Sequence, residues 1–212
     1  MKLNILETIY NRLFAFFGPQ HWWPGDTPFE VAVGAILTQN TNWSNAEKAI
    51  DTLKQNHMLS SKALHSIRRS NLAALIRPAG YFNIKAKRLK NFVAFTTEEY
   101  QGSMKRMAKE NLSVIRQKLL SVNGIGPETA DSIILYALEK PVFVIDAYTK
   151  RVLSRHTILD HEEPYETYQI LFHQKLKNDV SLFNEYHALM VRLAKEFCRP
   201  EPRCTGCPLE RI

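Results

Sequence analysis

Apolar residues recur along this chain at helical rather than strand spacing in nearly every periodic stretch. Ile5, Ile9, Leu13 and Phe16 follow i, i+4, i+8 and i+11, which predicts an amphipathic helix near the amino terminus. Thr27-Pro28-Phe29-Glu30 reads as a capping box with proline at the first helical position, opening a helix through Ile36 and Leu37. Ala46, Ala49, Ile50 and Leu53 mark a second helix, and Leu72, Leu75 and Ile76 a short one that stops before Pro78. Asn83 to Phe95 predicts a basic helix carrying Lys85, Lys87, Arg88 and Lys90. After Pro141, the apolar run Val142 to Ile145 has the composition of a strand but no visible strand partner, so a buried connector is expected. Helices follow near Ala147–Ser154, Tyr165–Leu176 and Leu182–Phe197. The pattern as a whole predicts an all-α protein.

One turn stands out between two of these helices. Ile115, Leu119, Leu120 and Val122 form an apolar approach, Gly124-Ile125-Gly126-Pro127 follows, and Ala130, Ile133, Ile134, Tyr136, Ala137 and Leu138 fit the buried side of the next helix. Glycine tolerates the positive φ of a tight turn, and Pro127 suits the first turn of a helix. Backbone N–H groups there would attract an anion such as a phosphate. A bare Gly-x-Gly is more often an ordinary connection. Flanked by two apolar helices it reads as a helix-hairpin-helix, which grips DNA without reading its bases.

Composition adds direction. The chain has 212 residues, with 28 Lys and Arg against 21 Asp and Glu, a formal net charge of +7. That surplus favours a polyanionic partner, nucleic acid first. No apolar run approaches the roughly 20 residues needed to span a bilayer. The amino terminus lacks a signal-peptide core, and all three cysteines lie in the last fifteen residues. A cytoplasmic, DNA-associated protein is therefore expected, with no membrane partner.

The hairpin, with Asp146 twenty residues after Gly126, resembles the endonuclease III-like superfamily of DNA glycosylases. The resemblance implies two all-helical lobes. One is a six-helix barrel over residues 25–140 that includes the hairpin. The other combines 1–24 with 141–212, and Asp146 lies at the rim of the cleft between them. It also implies double-stranded DNA with a damaged base as partner, and a monomer. Asp146 would stabilise the positive charge that builds on the sugar as the base departs, or activate the attacking water. By local pattern alone Asp146 is a good helix N-cap. The two roles are compatible.

Strand-cutting members carry a lysine in Gly-x-Gly-x-Lys-Thr-Ala. Here Gly124-Ile125-Gly126-Pro127-Glu128-Thr129-Ala130 places Glu128 at that position. A carboxylate forms no Schiff base, so release of the base by water, without lyase activity, is expected.

Trp22-Trp23-Pro24, Leu37-Thr38-Gln39-Asn40-Thr41-Asn42-Trp43 and Arg77-Pro78-Ala79-Gly80-Tyr81-Phe82-Asn83 resemble the 3-methyladenine DNA glycosylase III branch. An aromatic sandwich binds a flat, positively charged alkylpurine by stacking and cation–π attraction. Trp22, Trp23, Pro24 and Trp43 are the expected base pocket. The two adjacent tryptophans cannot easily both point inward, so at least one should face the cleft. Gln39 matches the side chain that fills the gap left by the extruded nucleotide, and it could equally satisfy nearby backbone groups. With Gly124, Ile125, Gly126 and Thr129 it makes up the expected DNA-binding set. Lys195 matches a lysine near the site in that branch, although by pattern it is a solvent-facing helix lysine. The branch's modified lysine is replaced by Leu189.

Cys198, Cys204 and Cys207, spaced C-x5-C-x2-C, resemble the iron–sulfur loop of endonuclease III. A [4Fe–4S] cluster takes four thiolates, and the fourth is not present in this sequence. A truncated sequence, a three-cysteine cluster with a labile iron and a relic loop all stay open. Zinc would also want a fourth ligand. Arg199 and Arg203 could touch phosphate even with the loop empty.

These residues point to a monofunctional glycosylase of base excision repair acting on alkylated purines. Two alternatives are an endonuclease III-like enzyme on oxidised pyrimidines and a helix-hairpin-helix protein that binds DNA without catalysis.

Overall fold

A computed structural model describes residues 4–22 and 25–212, and every regular element among them is helical. The chain divides into two compact units, Met1–Trp22 with Pro141–Ile212, and Trp23–Lys140.

Helix α1 (Ile5–Phe17) is opened by a reciprocal cap: Asn4 accepts from the Glu7 N–H, and the Glu7 carboxylate accepts from the Asn4 N–H. Its buried stripe is Leu6, Ile9 and Leu13, whereas Ile5 and Phe16 are exposed. Strict four-residue spacing drifts about 40° per step around a 3.6-residue helix, so the face centres on Leu6 rather than Ile5.

In the Trp23–Lys140 unit, α2 (Pro28–Leu37) starts as the sequence predicts, with Pro28 at its first position and the Thr27 hydroxyl accepting from the Glu30 N–H. The box is completed differently. The Glu30 carboxylate pairs with Lys54 on α3 (Trp43–Gln55) at 2.7 Å, and Lys54 also holds Asp26 at 2.7 Å. Hydrogen bonds to Asp26 and Glu30 push the Lys54 pKa up to about 12. Two short helices follow, α4 (Ser61–Ser66) and α5 (Arg69–Leu75).

Helix α6 (Phe82–Tyr100) runs five residues past the predicted Phe95, because Thr96 and Tyr100 extend the buried face of Phe92 and Val93. Its basic residues mostly turn inward. Lys85 is buried and donates to the carbonyls of Leu37 and Ala79 at 2.8 and 2.7 Å. Lys90 donates to the Leu64 and Ile67 carbonyls at the end of α4, where a cation meets the negative end of a helix. Lys87 alone of the four is exposed.

After α7 (Met104–Met107) come the hairpin helices α8 (Leu112–Ser121) and α9 (Pro127–Ser132), the latter running into a π-helical turn at Ile133–Ala137. Ile115, Leu119, Ala130, Ile133, Ile134, Ala137 and Leu138 are buried as predicted. Val122, the C-cap of α8, is buried as well, whereas Leu120 is exposed and Tyr136 half-buried. Arg116 clasps the fully buried Asp131 through two hydrogen bonds of 2.8 and 3.0 Å, tying α8 to α9.

The other unit continues with α10 (Ala147–Arg155), α11 (Tyr165–Lys175) and α12 (Val180–Glu196). Val142 to Ile145 form the buried connector, each at most 3% exposed. Side chains of α11 satisfy its backbone in place of a strand partner. Tyr165 accepts from the Ile145 N–H at 3.2 Å, Gln169 donates to the Phe143 carbonyl at 2.8 Å, and His173 accepts from the Phe143 N–H at 3.3 Å. These partners stand four residues apart on one helix face, which is how a helix can serve an extended segment.

Candidate functional site

The connector delivers Asp146 to the start of α10. Its extended backbone (φ −100°, ψ 175°) is that of an N-cap, and its Oδ1 accepts the Thr149 N–H at 2.7 Å. Its other oxygen, Oδ2, lies 3.4 Å from Nε2 of His187 on α12. The Asp146 side chain keeps 12% of its surface, and that of His187 keeps 7%. Burial by itself raises the Asp146 pKa. The charge of a protonated His187 and the hydrogen bonds from His187 and Thr149 outweigh it, holding the carboxyl below its ordinary value.

His187 is itself fixed by aromatic rings. Trp22 stacks on the imidazole with centroids 5.5 Å apart and planes 11° from parallel, and Phe143 meets it edge-on. Trp22 gets there because the chain leaving α1 is tied to α12. The Gln20 N–H donates to Glu185 at 2.7 Å, and Arg192 donates to the Gln20 side chain at 3.2 Å. Trp22, His187 and Asp146 therefore form one cluster within this unit. Trp23 and Pro24 lie outside the described residues. Lys195 is on the same helix as His187 but exposed, two turns further on, and Leu189 is a fully buried core residue.

Sequence reading missed His187. Its signal is a lone imidazole set among Phe183, Tyr186 and Met190 on the buried stripe of α12. That pattern alone does not say which partner it meets.

A second cluster lies in the Trp23–Lys140 unit. Just past α2, Gln39 donates from Nε2 to the Gly124 carbonyl at 3.0 Å and to the Thr129 hydroxyl at 2.9 Å, and its Oε1 accepts from Arg88. Asn91, one turn along α6 from Arg88, donates to the Asn123 carbonyl at 2.9 Å. Gly124 has φ +97°, and a Cβ there would run into the Arg88 side chain. Gly126 is extended and has open space where a Cβ would stand. Ile125 and Thr129 are buried, so their side chains brace the turn from inside while the glycine backbone forms its outer edge. Trp43 is elsewhere in this unit, half-buried with its ring against Gly34 of α2, where a Cβ would come within 3.3 Å. Glu128 is exposed at the second position of α9.

The three cysteines line one cavity of about 340 Å³ with Arg155, His156 and Leu209. Cys198 is buried, Cys207 half-buried and Cys204 exposed. Two α10 arginines hold the loop: Arg151 donates to the Cys198 carbonyl at 2.8 Å, and Arg155 to the carbonyls of Arg199 and Pro200. Burial, then the neighbouring Cys198 and Cys204, push the Cys207 thiol up. The thiols share a cavity without converging: among the described residues no three His, Cys, Asp or Glu side chains are placed to hold a metal ion. Cys198, Cys204 and Cys207 offer three of the four thiol ligands that a [4Fe–4S] cluster takes. Arg199 and Arg203, the expected phosphate contacts, are exposed, and Arg199 donates to the Lys195 carbonyl at 2.8 Å. No helix among the described residues is long and apolar enough to cross a membrane.

Residues 33–177 match the family described as HhH-GPD superfamily base excision DNA repair protein. The chain belongs to the HhH-GPD superfamily. The chain is 45% identical over 213 residues to a Methanocaldococcus jannaschii protein provisionally named a DNA repair glycosylase, covering 100% of this chain and 96% of that one. It is 28% identical to the H. pylori 3-methyladenine DNA glycosylase bound to 1,N6-ethenoadenine, with a TM-score of 0.77, covering 92% of this chain and 98% of that one. It also shares its fold with a trapped endonuclease III–DNA covalent intermediate (TM-score 0.83, 18% identity, 98% and 94% covered). Its HhH-GPD membership and these relatives place the chain among the DNA repair glycosylases.

Proposed function

We propose that this HhH-GPD protein is a monofunctional DNA glycosylase. It hydrolyses the N-glycosyl bond of damaged purines of the 3-methyladenine type in duplex DNA and leaves an abasic site. The observation that carries this reading is Asp146, a carboxylate that is largely buried and yet held anionic. A charge removed from water is strong at short range, which is what stabilising a developing cation requires.

As the C1′–N bond breaks, its electron pair leaves with the base and positive charge builds on the sugar. Asp146 stabilises that charge. Water then bonds to C1′ and gives up a proton, with the Asp146 carboxylate as acceptor. An alkylated purine already carries positive charge, so its departure needs little acid assistance. Trp22 and Lys195 are proposed to contact the base, and the backbone of Gly124 to Gly126 to hold a phosphate. Gln39 enters the DNA only by giving up its bonds to Gly124, Thr129 and Arg88. The proposed substrate draws support from the 28% identity to the H. pylori enzyme along nearly the whole of both chains. Glu128 in the lysine position supports hydrolysis over strand cleavage.

The test is a set of duplexes, each carrying 3-methyladenine, 1,N6-ethenoadenine or an oxidised pyrimidine, incubated with and without borohydride. Alkylpurine release, an unbroken strand and no trapped covalent complex are expected. Release of the pyrimidine alone, with a borohydride-trapped complex, contradicts the proposal. Binding with no release favours the non-catalytic alternative.

A further inference from the structure

The Asp146–His187 pair carries an inference that rests on the glycosylase reading and deepens it. The carboxylate divides its work between its two oxygens. Oδ1 is committed to the Thr149 N–H as a helix cap, while Oδ2 faces the imidazole. His187 is 5% exposed and arrives from a different helix, so its place is set by the packing of α12. Trp22 stacks on the ring with centroids 5.5 Å apart and holds its plane. Three titratable groups on the elements packed against α12 have ring partners of their own. Tyr10 on α1 faces Tyr186, while Lys150 and Arg151 on α10 lie over Tyr168 and Tyr148. Asp146 sets a charged group against the imidazole at 3.4 Å.

We infer that His187 is a positioning residue for Asp146: it keeps the carboxylate anionic, with Oδ2 turned away from the cap, while the glycosyl bond breaks. Asp146 remains the group that meets the sugar, and His187 acts through it. Without this partner, a buried carboxyl favours its neutral form, which neither stabilises a sugar cation nor accepts a proton from water.

The experiment measures single-turnover base release from methylated duplex against pH for wild type, His187→Gln and His187→Lys, with the folded fraction of each variant measured alongside. In wild type the acid limb marks protonation of Asp146. Losing an opposite charge raises a carboxyl pKa by about one to three units, so the acid limb of His187→Gln should move up by that amount, with the maximal single-turnover rate reduced and the half-saturating enzyme concentration little changed. His187→Lys should bring the limb partly back. A purely structural role would lower the rate at every pH and leave the limb in place, and that result overturns the inference.

Should His187→Gln fail to fold, imidazole NMR of the wild type and of Asp146→Asn reads the same coupling without catalysis. A slowly exchanging Nε2–H of His187 facing Oδ2 is expected in the wild type and faster exchange in Asp146→Asn, and unchanged exchange contradicts the inference. A wild type that releases no base from any duplex sinks the glycosylase reading, while an unshifted limb in an active enzyme sinks only the role of His187.

Discussion

Gln39 and Thr129 are joined by a 2.9 Å hydrogen bond that fastens the end of α2 to the second helix of the hairpin. The same amide also donates to the Gly124 carbonyl and accepts from Arg88. Before any DNA is bound, Gln39 is thus a brace for the turn. A net hydrogen bond is worth roughly 0.5–1.5 kcal/mol, with more lost if a buried partner is stranded. Gln39→Ala should therefore cost about 1–3 kcal/mol in urea denaturation, and stability equal to wild type would contradict the brace.

The two hairpin glycines should respond differently to the same change. At Gly124 a side chain meets both a left-handed φ and the Arg88 side chain, whereas at Gly126 it meets neither. Gly124→Ala should destabilise by about 1–3 kcal/mol and weaken binding to all duplexes alike, since backbone contacts carry no sequence information. Gly126→Ala should fold like wild type, so any fall in its DNA affinity reports the phosphate contact directly. Equal stability of the two variants would contradict this account of the turn.

Lys85 gives the fold a pH signature. Burial, helped by the nearby Arg88 charge, lowers its pKa from 10.5 to about 8. Between those values the unfolded chain binds more protons than the folded one, so this group's contribution to stability grows as pH rises from about 8 towards 10.5. Lys85→Met lacks that gain. Urea denaturation of both proteins at several pH values should show the wild type drawing ahead of the variant across this window. Parallel curves would contradict it.

Much of this was legible in the chain. Apolar periodicity located the helices, Gly124 and Pro127 marked the hairpin, and the residues around Asp146 spelled out an N-cap that the structure contains. Helical spacing failed where it had to be read to within one position, as with Ile5 and Phe16. Charge was read least well. Lys85, Arg88 and Lys90 look like a solvated face in sequence. Their destinations are the carbonyls of Leu37, Ala79, Leu64 and Ile67 and the side chain of Gln39, groups supplied by other segments. His187 was invisible for the same reason. A polar residue on a buried stripe announces a need for a partner, and only the packing of α12 beside the connector shows that the partner is Asp146.

The most direct test of the central claim compares wild type with Asp146→Asn in single-turnover release of 3-methyladenine from methylated duplex, with DNA affinity measured in parallel. Asparagine is a good N-cap, so the fold should persist while the negative charge is lost. The account predicts release by the wild type, a fall of at least about 10²-fold in the variant, and similar affinity for DNA. Equal release by both proteins would contradict it.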